Sequence, residues 1–100
     1  MYQAIFVVVE RGKSEEVLEA AQKAGSTGGT VIHARGSGAE ETKRFFHMEI
    51  EPEKDVVLIL SREAAADRIV DTINEELQLN EPNRGILFKV DVNETRGLAE

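Results

Sequence analysis

Two stretches of the chain are apolar at odd and even positions alike: residues 4–9 (AIFVVV) and 56–60 (VVLIL). Each is followed by a segment whose apolar residues recur at helical spacing. The first pattern predicts a strand over residues 3–9, rich in β-branched and aromatic side chains. Arg11 and Gly12 then mark a turn, and Ser14 is placed to cap a helix whose first turn holds Glu15 and Glu16. Val17, Leu18, Ala21 and Ala24 form its apolar stripe, and Gly25 supplies the stop. A second strand is predicted over residues 30–35, bracketed by Gly28 and Gly29 before it and Gly36 and Gly38 after it.

Residues 37–44 read as a loop. In residues 45–50, Phe46, Met48 and Ile50 alternate with His47 and Glu49, the pattern of a half-buried strand that Pro52 ends. Residues 56–60 form a central strand, and Ser61 is placed to cap the second helix. Ala66, Ile69, Val70, Ile73 and Leu77 line one face of that helix. Residues 79–84, with Pro82, are a loop. Ile86, Phe88, Val90 and Val92 alternate with Leu87, Lys89 and Asp91 in a closing strand.

The order β-α-β, loop, β-α-β predicts an α+β fold, the ferredoxin-like split βαβ sandwich, with one antiparallel sheet and two helices on one face. The whole chain, residues 1–100, reads as a single domain. Successive strand residues point to opposite faces. Strands apolar at every position therefore leave a greasy sheet back once the helices have covered the other side. Self-association in a closed ring is the expected way to bury it.

Composition narrows the function. The net charge is −7, from 12 basic and 19 acidic residues, which argues against binding a nucleic-acid backbone. There is no cysteine, so no disulfide, thiolate metal site or thiol nucleophile, which suits a reducing, cytoplasmic setting. The apolar runs are far shorter than the roughly 20 residues of a membrane span, and the start, MYQAIFVVVERGK, lacks the basic and cleavage regions of a leader. Direct membrane insertion is not expected.

The segment GGTVIHARGSG, residues 28–38, carries the most chemical information. Glycines on either side of a strand let backbone approach a ligand and present N–H groups to an anion, with Arg35 adding charge. The same glycines equally serve to shape two turns. Asn83-Arg84-Gly85 offers a second glycine turn beside a cation. Arg35, Arg84, Lys89 and Arg96 would hold two or three phosphate charges if sheet pairing brought them together, and are otherwise separate solvated charges. Neither a P-loop nor a dinucleotide fingerprint is present. His33 and His47, 14 apart with no cysteine partner, read as strand histidines rather than a zinc site. No carboxylate pair or serine has an evident catalytic partner, so no enzyme activity is expected.

Over nearly its whole length the chain resembles the P-II signalling protein family. GGTVIHARGSG is similar to the family's second strand and its entry into the T-loop. EKDVVLILSREAAADRIVDTI is similar to its third strand and second helix, and NRGILFKVDV to the end of its B-loop and its fourth strand. The resemblance implies a homotrimeric regulator that binds ATP, ADP or AMP between subunits and moves its T-loop against a target protein, such as a membrane transporter or a metabolic enzyme. It implies that Thr30 meets adenine, that Gly36 and Gly38 approach the nucleotide, that the Gly85 N–H faces phosphate, and that Arg35 adds charge. Gly28, Gly29, Arg84 and Lys89 complete the expected nucleotide-binding set, with no metal.

Departures from the family pattern accompany these matches. The T-loop segment is short and holds no tyrosine to modify. The family's 2-oxoglutarate-binding glutamine has no equivalent near Gly38 and Ala39. Ile86 and Asn83 stand at a B-loop lysine and glycine position, and the C-terminal phosphate-binding arginines are not matched, Arg96 being only near. These changes favour ADP, AMP or another nucleotide over ATP with magnesium and oxoglutarate. Two other readings remain at this point: a CutA-type trimeric metal-tolerance protein using His33 and His47, and a small acyl phosphatase using Arg35 and Asn83.

Overall fold

The computed structural model describes residues 1–36 and 52–98. Four strands and two helices follow the predicted order: β1 (Tyr2–Glu10), α1 (Ser14–Lys23), β2 (Thr30–Arg35), β3 (Glu53–Arg62), α2 (Glu63–Leu77) and β4 (Ile86–Val92). The strands form one antiparallel sheet in the order β2-β3-β1-β4. This is the ferredoxin-like arrangement. The strand expected over residues 45–50, the loop over 37–44, Gly38 and His47 lie outside the described residues.

Register explains how strands that look uniformly apolar acquire two different faces. Val8 pairs with Val56 on one side and Ile86 on the other, and Val56 pairs with Ile32. Ile5, Val7, Val9, Val57 and Ile59 share the helix-covered face and are all but fully buried against Val17, Ala20 and Ala21 of α1 and Ala66, Ile69 and Ile73 of α2. Burying one such branched side chain contributes on the order of 1.5–3 kcal/mol, so this single layer supplies most of the drive to fold. The small alanines of α1 let that helix lie close to the sheet and to α2.

Among the described residues, the opposite face carries no helix. Phe6 and Phe88, paired across β1 and β4, stack there with ring centroids 5.0 Å apart. Ile86 is 61% exposed and Phe88 46%, and Leu60, Ile32 and Val90 are comparably open. The apolar sheet back expected from the sequence is therefore present, running from edge strand to edge strand.

Both serines placed as helix caps do something else. α1 begins at Ser14, with Lys13 as the capping residue and no side-chain cap. β3 runs on through Ser61 to Arg62, so α2 begins at Glu63, and Ser61 Oγ donates to the Arg62 carbonyl instead. The Glu63 amide is satisfied by the Met1 carbonyl at 2.9 Å, a backbone partner from β1's end that makes a side-chain cap unnecessary.

Candidate functional site

The predicted ligand residues fall into groups that the sheet holds apart. Gly36 follows β2, and its amide donates to the Pro52 carbonyl at 3.1 Å, closing the base of the 37–51 segment. Arg35, one residue earlier, pairs in register with Glu53. Gly85 lies one step beyond the Ile86–Val8 pair, so Arg84 and Gly85 occupy the same end of the sheet as Arg35 and Gly36. They sit on the opposite edge, however. β3 and β1 intervene, three strand spacings of roughly 4.8 Å, or about 14 Å.

The remaining cations do not join them within one chain. Lys89 points to the helix side of β4, where its Nζ donates to Asp67 Oδ1 and to Gln3 Oε1 at 3.2 Å. Arg96 follows β4 at the far end of the sheet and pairs with Glu94 at 3.0 Å. Gly28, Gly29 and Thr30 lie at the start of β2, about 20 Å from Gly36 by the rise of an extended strand. Thr30 is exposed on the open face and pairs with Leu58.

Two of the glycines have demanding positions inside the subunit. A Cβ on Gly29 would stand 3.0 Å from Leu18 Cδ2 and from the Leu58 carbonyl oxygen. At Gly85, φ is +135° and a Cβ would lie 2.7 Å from the Val8 carbonyl oxygen, so the chain passes over β1 too closely for any other residue. Gly36 differs: nothing comes within 4 Å of where its Cβ would be. Gly28 is tied into a small turn by its amide donating to Ser26 Oγ at 3.3 Å.

Sequence reasoning missed a polar cluster at the same end of the sheet. Asp55 is 2% exposed and lies on the helix side of β3. Its Oδ1 is 2.8 Å from His33 Nδ1, and its Oδ2 accepts the Gly12 amide at 3.1 Å. The His33 hydrogen bond, then the Gly12 amide, and to a smaller extent the Ser14 hydroxyl, hold the Asp55 carboxyl below its ordinary value against the opposing effect of burial. A carboxylate only accepts, so His33 Nδ1 carries the proton. The signal was present as an isolated aspartate at the start of an otherwise apolar strand. Beside this cluster Arg11 pairs with Glu53 at 2.5 Å, both well exposed. Among the described residues no group of three or more His, Asp or Glu side chains is arranged to hold a metal ion.

A shallow hollow of about 220 Å³ opens between Tyr2, Val92 and Thr95. It lies at the end of the sheet remote from Gly36 and Gly85, and none of the predicted ligand residues lines it.

Comparison with known proteins places this geometry. A search of curated proteins finds no match. Among solved structures, the crystal structure of Arabidopsis thaliana PII bound to citrate superposes with a TM-score of 0.70 at 21% identity, covering 91% of this chain and 74% of that one. At that identity the likeness speaks to the fold. The family model for nitrogen regulatory protein P-II matches residues 2–98. With nearly every residue inside that match, and the β-α-β-β-α-β sheet behind it, the chain belongs to the P-II family of signalling regulators.

Proposed function

We propose that the protein is a non-enzymatic regulator that assembles as a homotrimer, binds an adenine nucleotide in the seams between subunits, and acts on a target protein through its T-loop. The observation that carries this reading is the placement of Arg35–Gly36 and Arg84–Gly85 at one end of the sheet but on opposite edges. A joint site needs the β2 edge of one copy beside the β4 edge of the next. The open apolar face supports the same arrangement, since a ring buries one such face per subunit. Gly36 and Gly85 would bring backbone amides to the phosphates, and Thr30 would meet the base. A nucleotide with different contacts in two T-loop states would then shift which surface the target meets. The target, a transporter or a metabolic enzyme, and the nitrogen-related pathway belong to this reading as well, as does action in the cytoplasm.

Family membership favours this reading over a CutA-type metal protein. Calorimetry with ATP, ADP and AMP, run beside sedimentation, is the test. Saturable binding to a trimer supports the proposal; no heat from any of the three at about millimolar concentration, or a monomer at assay concentration, removes it.

A further inference from the structure

The His33–Asp55 pair plays no part in the nucleotide reading, yet it has the construction of an activated side chain. The two residues face each other in register across β2 and β3, on the helix side of the sheet. Asp55 is held from two directions. It is 2% exposed, and its Oδ2 accepts the Gly12 amide at 3.1 Å. Its Oδ1 accepts the Nδ1–H of His33 at 2.8 Å. That contact fixes the tautomer: the proton is on Nδ1, and Nε2 keeps its lone pair. The His33 side chain is 72% exposed, so the imidazole is open to a reactant while its orientation is set from the core. Glu53, next on the same face of β3, is taken up by Arg11 at 2.5 Å. Arg35 follows His33 by two residues on the same face of β2, roughly 7 Å along the strand, and is exposed.

We infer that His33 Nε2 is a phosphoryl acceptor, modified by a donor of the phosphoramidate class, such as a phosphohistidine on another protein. A histidine with a free ring nitrogen and an oriented partner is a competent nucleophile. The Nε2 lone pair attacks phosphorus and a new P–N bond forms. The P–N bond of the donor breaks, and the donor nitrogen leaves with the electron pair. No proton has to move, because Nδ1 keeps its hydrogen. The ring gains positive charge as the bond forms, and the buried Asp55 carboxylate faces that charge. Arg35 supplies a planar fork for the phosphoryl oxygens. The modification adds about two negative charges two residues before β2 ends.

The test incubates the full chain with phosphoramidate, with N-acetylhistidine as the reference nucleophile. Intact mass should show one added phosphoryl group, and phosphorus NMR should place it on Nε2 of His33. It should form at least about tenfold faster than on N-acetylhistidine. His33→Gln, at an exposed position, should keep the native circular dichroism and lose the modification. Asp55 acts as a positioning residue. In Asp55→Asn the rate should fall by about tenfold or more, and the phosphoryl group should divide between Nδ1 and Nε2, which weakened packing alone would not produce. If Asp55→Asn does not fold, the rate of His33 against N-acetylhistidine decides. No phosphorylation, phosphorylation on His47 instead, or a His33 rate no greater than that of N-acetylhistidine overturns the inference. Each of these leaves the nucleotide-binding proposal standing.

Discussion

His33 Nδ1 and Asp55 Oδ1 lie 2.8 Å apart across the β2–β3 pairing, two residues below the point where β2 leaves the sheet. The imidazole is largely solvent-exposed, at 72% for the side chain, while the carboxylate is almost wholly buried. One partner thus belongs to the core and the other to the surface, and the pair joins the root of the 37–51 segment to the turn at Gly12.

The first prediction concerns that carboxylate. Its folded-state value is depressed, so its contribution to stability is present above the unfolded value, near 4, and is lost as pH falls through the lower folded value. Asp55→Asn is expected to cost about 1–3 kcal/mol at neutral pH, because the Gly12 amide and the histidine lose a charged acceptor. The difference from the native chain should shrink as the pH is lowered below about 4. Thermal melts of both proteins at pH 7 and pH 3 check this. An unchanged gap at the two pH values would show that the carboxylate charge is not what stabilises the cluster.

Gly85 and Gly36 make a second, paired prediction. Both were read from the sequence as ligand-facing glycines, yet their surroundings differ. Gly85→Ala forces a Cβ to 2.7 Å from a β1 carbonyl at a φ of +135°, and should destabilise by about 3 kcal/mol. Gly36→Ala meets open space and should change stability by no more than about 0.5 kcal/mol. Denaturant titrations of the two variants distinguish them. Because Gly36→Ala leaves the fold intact, it is the cleaner probe of nucleotide affinity.

The elements were legible because their apolar periods are long and unmixed: residues 56–60 announce a strand, and the spacing of Ala66, Ile69 and Ile73 announces a helix face. The ends were less legible. β3 extends to Glu53 and Arg62 because backbone pairing, with β2 at Glu53 and with β1 at Arg62, continues through charged residues that carry no hydrophobic signal. Strand order was decisive for the site and is a long-range property. No local pattern says that β2 and β4 are the two edges, so Arg35 and Arg84 could be imagined as neighbours until the sheet separated them. Asp55 escaped notice for a similar reason, since its partners lie at Gly12 and His33, 43 and 22 residues away.

A third prediction concerns the packing of the two helices. Arg68 of α2 donates from Nε and one terminal nitrogen to the Ala24 carbonyl, at 3.2 and 3.0 Å, just past the last turn of α1. A cation there satisfies a free carbonyl and complements the negative end of the helix dipole. Arg68→Ala should cost about 1 kcal/mol, and Arg68→Lys should recover part of it, since one ammonium cannot reproduce the forked contact. A drop in midpoint denaturant concentration at constant slope is the expected reading. No drop would assign the contact to the surface class that contributes little.

The last prediction tests the sheet back on which the proposed assembly depends. Phe88 stacks on Phe6 at 5.0 Å and is still 46% exposed, and Leu60 is 45% exposed two strands away on the same face. In a lone subunit, Leu60→Glu replaces an exposed apolar group with a solvated one and should leave stability nearly unchanged. In an assembly that buries this face, the same change places one carboxylate per copy in an apolar interface, where an unpaired charge costs several kcal/mol. Sedimentation of Leu60→Glu should therefore show folded subunits of 11.1 kDa where the native chain sediments as a larger particle. Circular dichroism would confirm that the helices and sheet persist. If Leu60→Glu assembles as the native chain does, this face is not the one the copies share, and the seam that would bring Arg35 to Arg84 must be sought elsewhere.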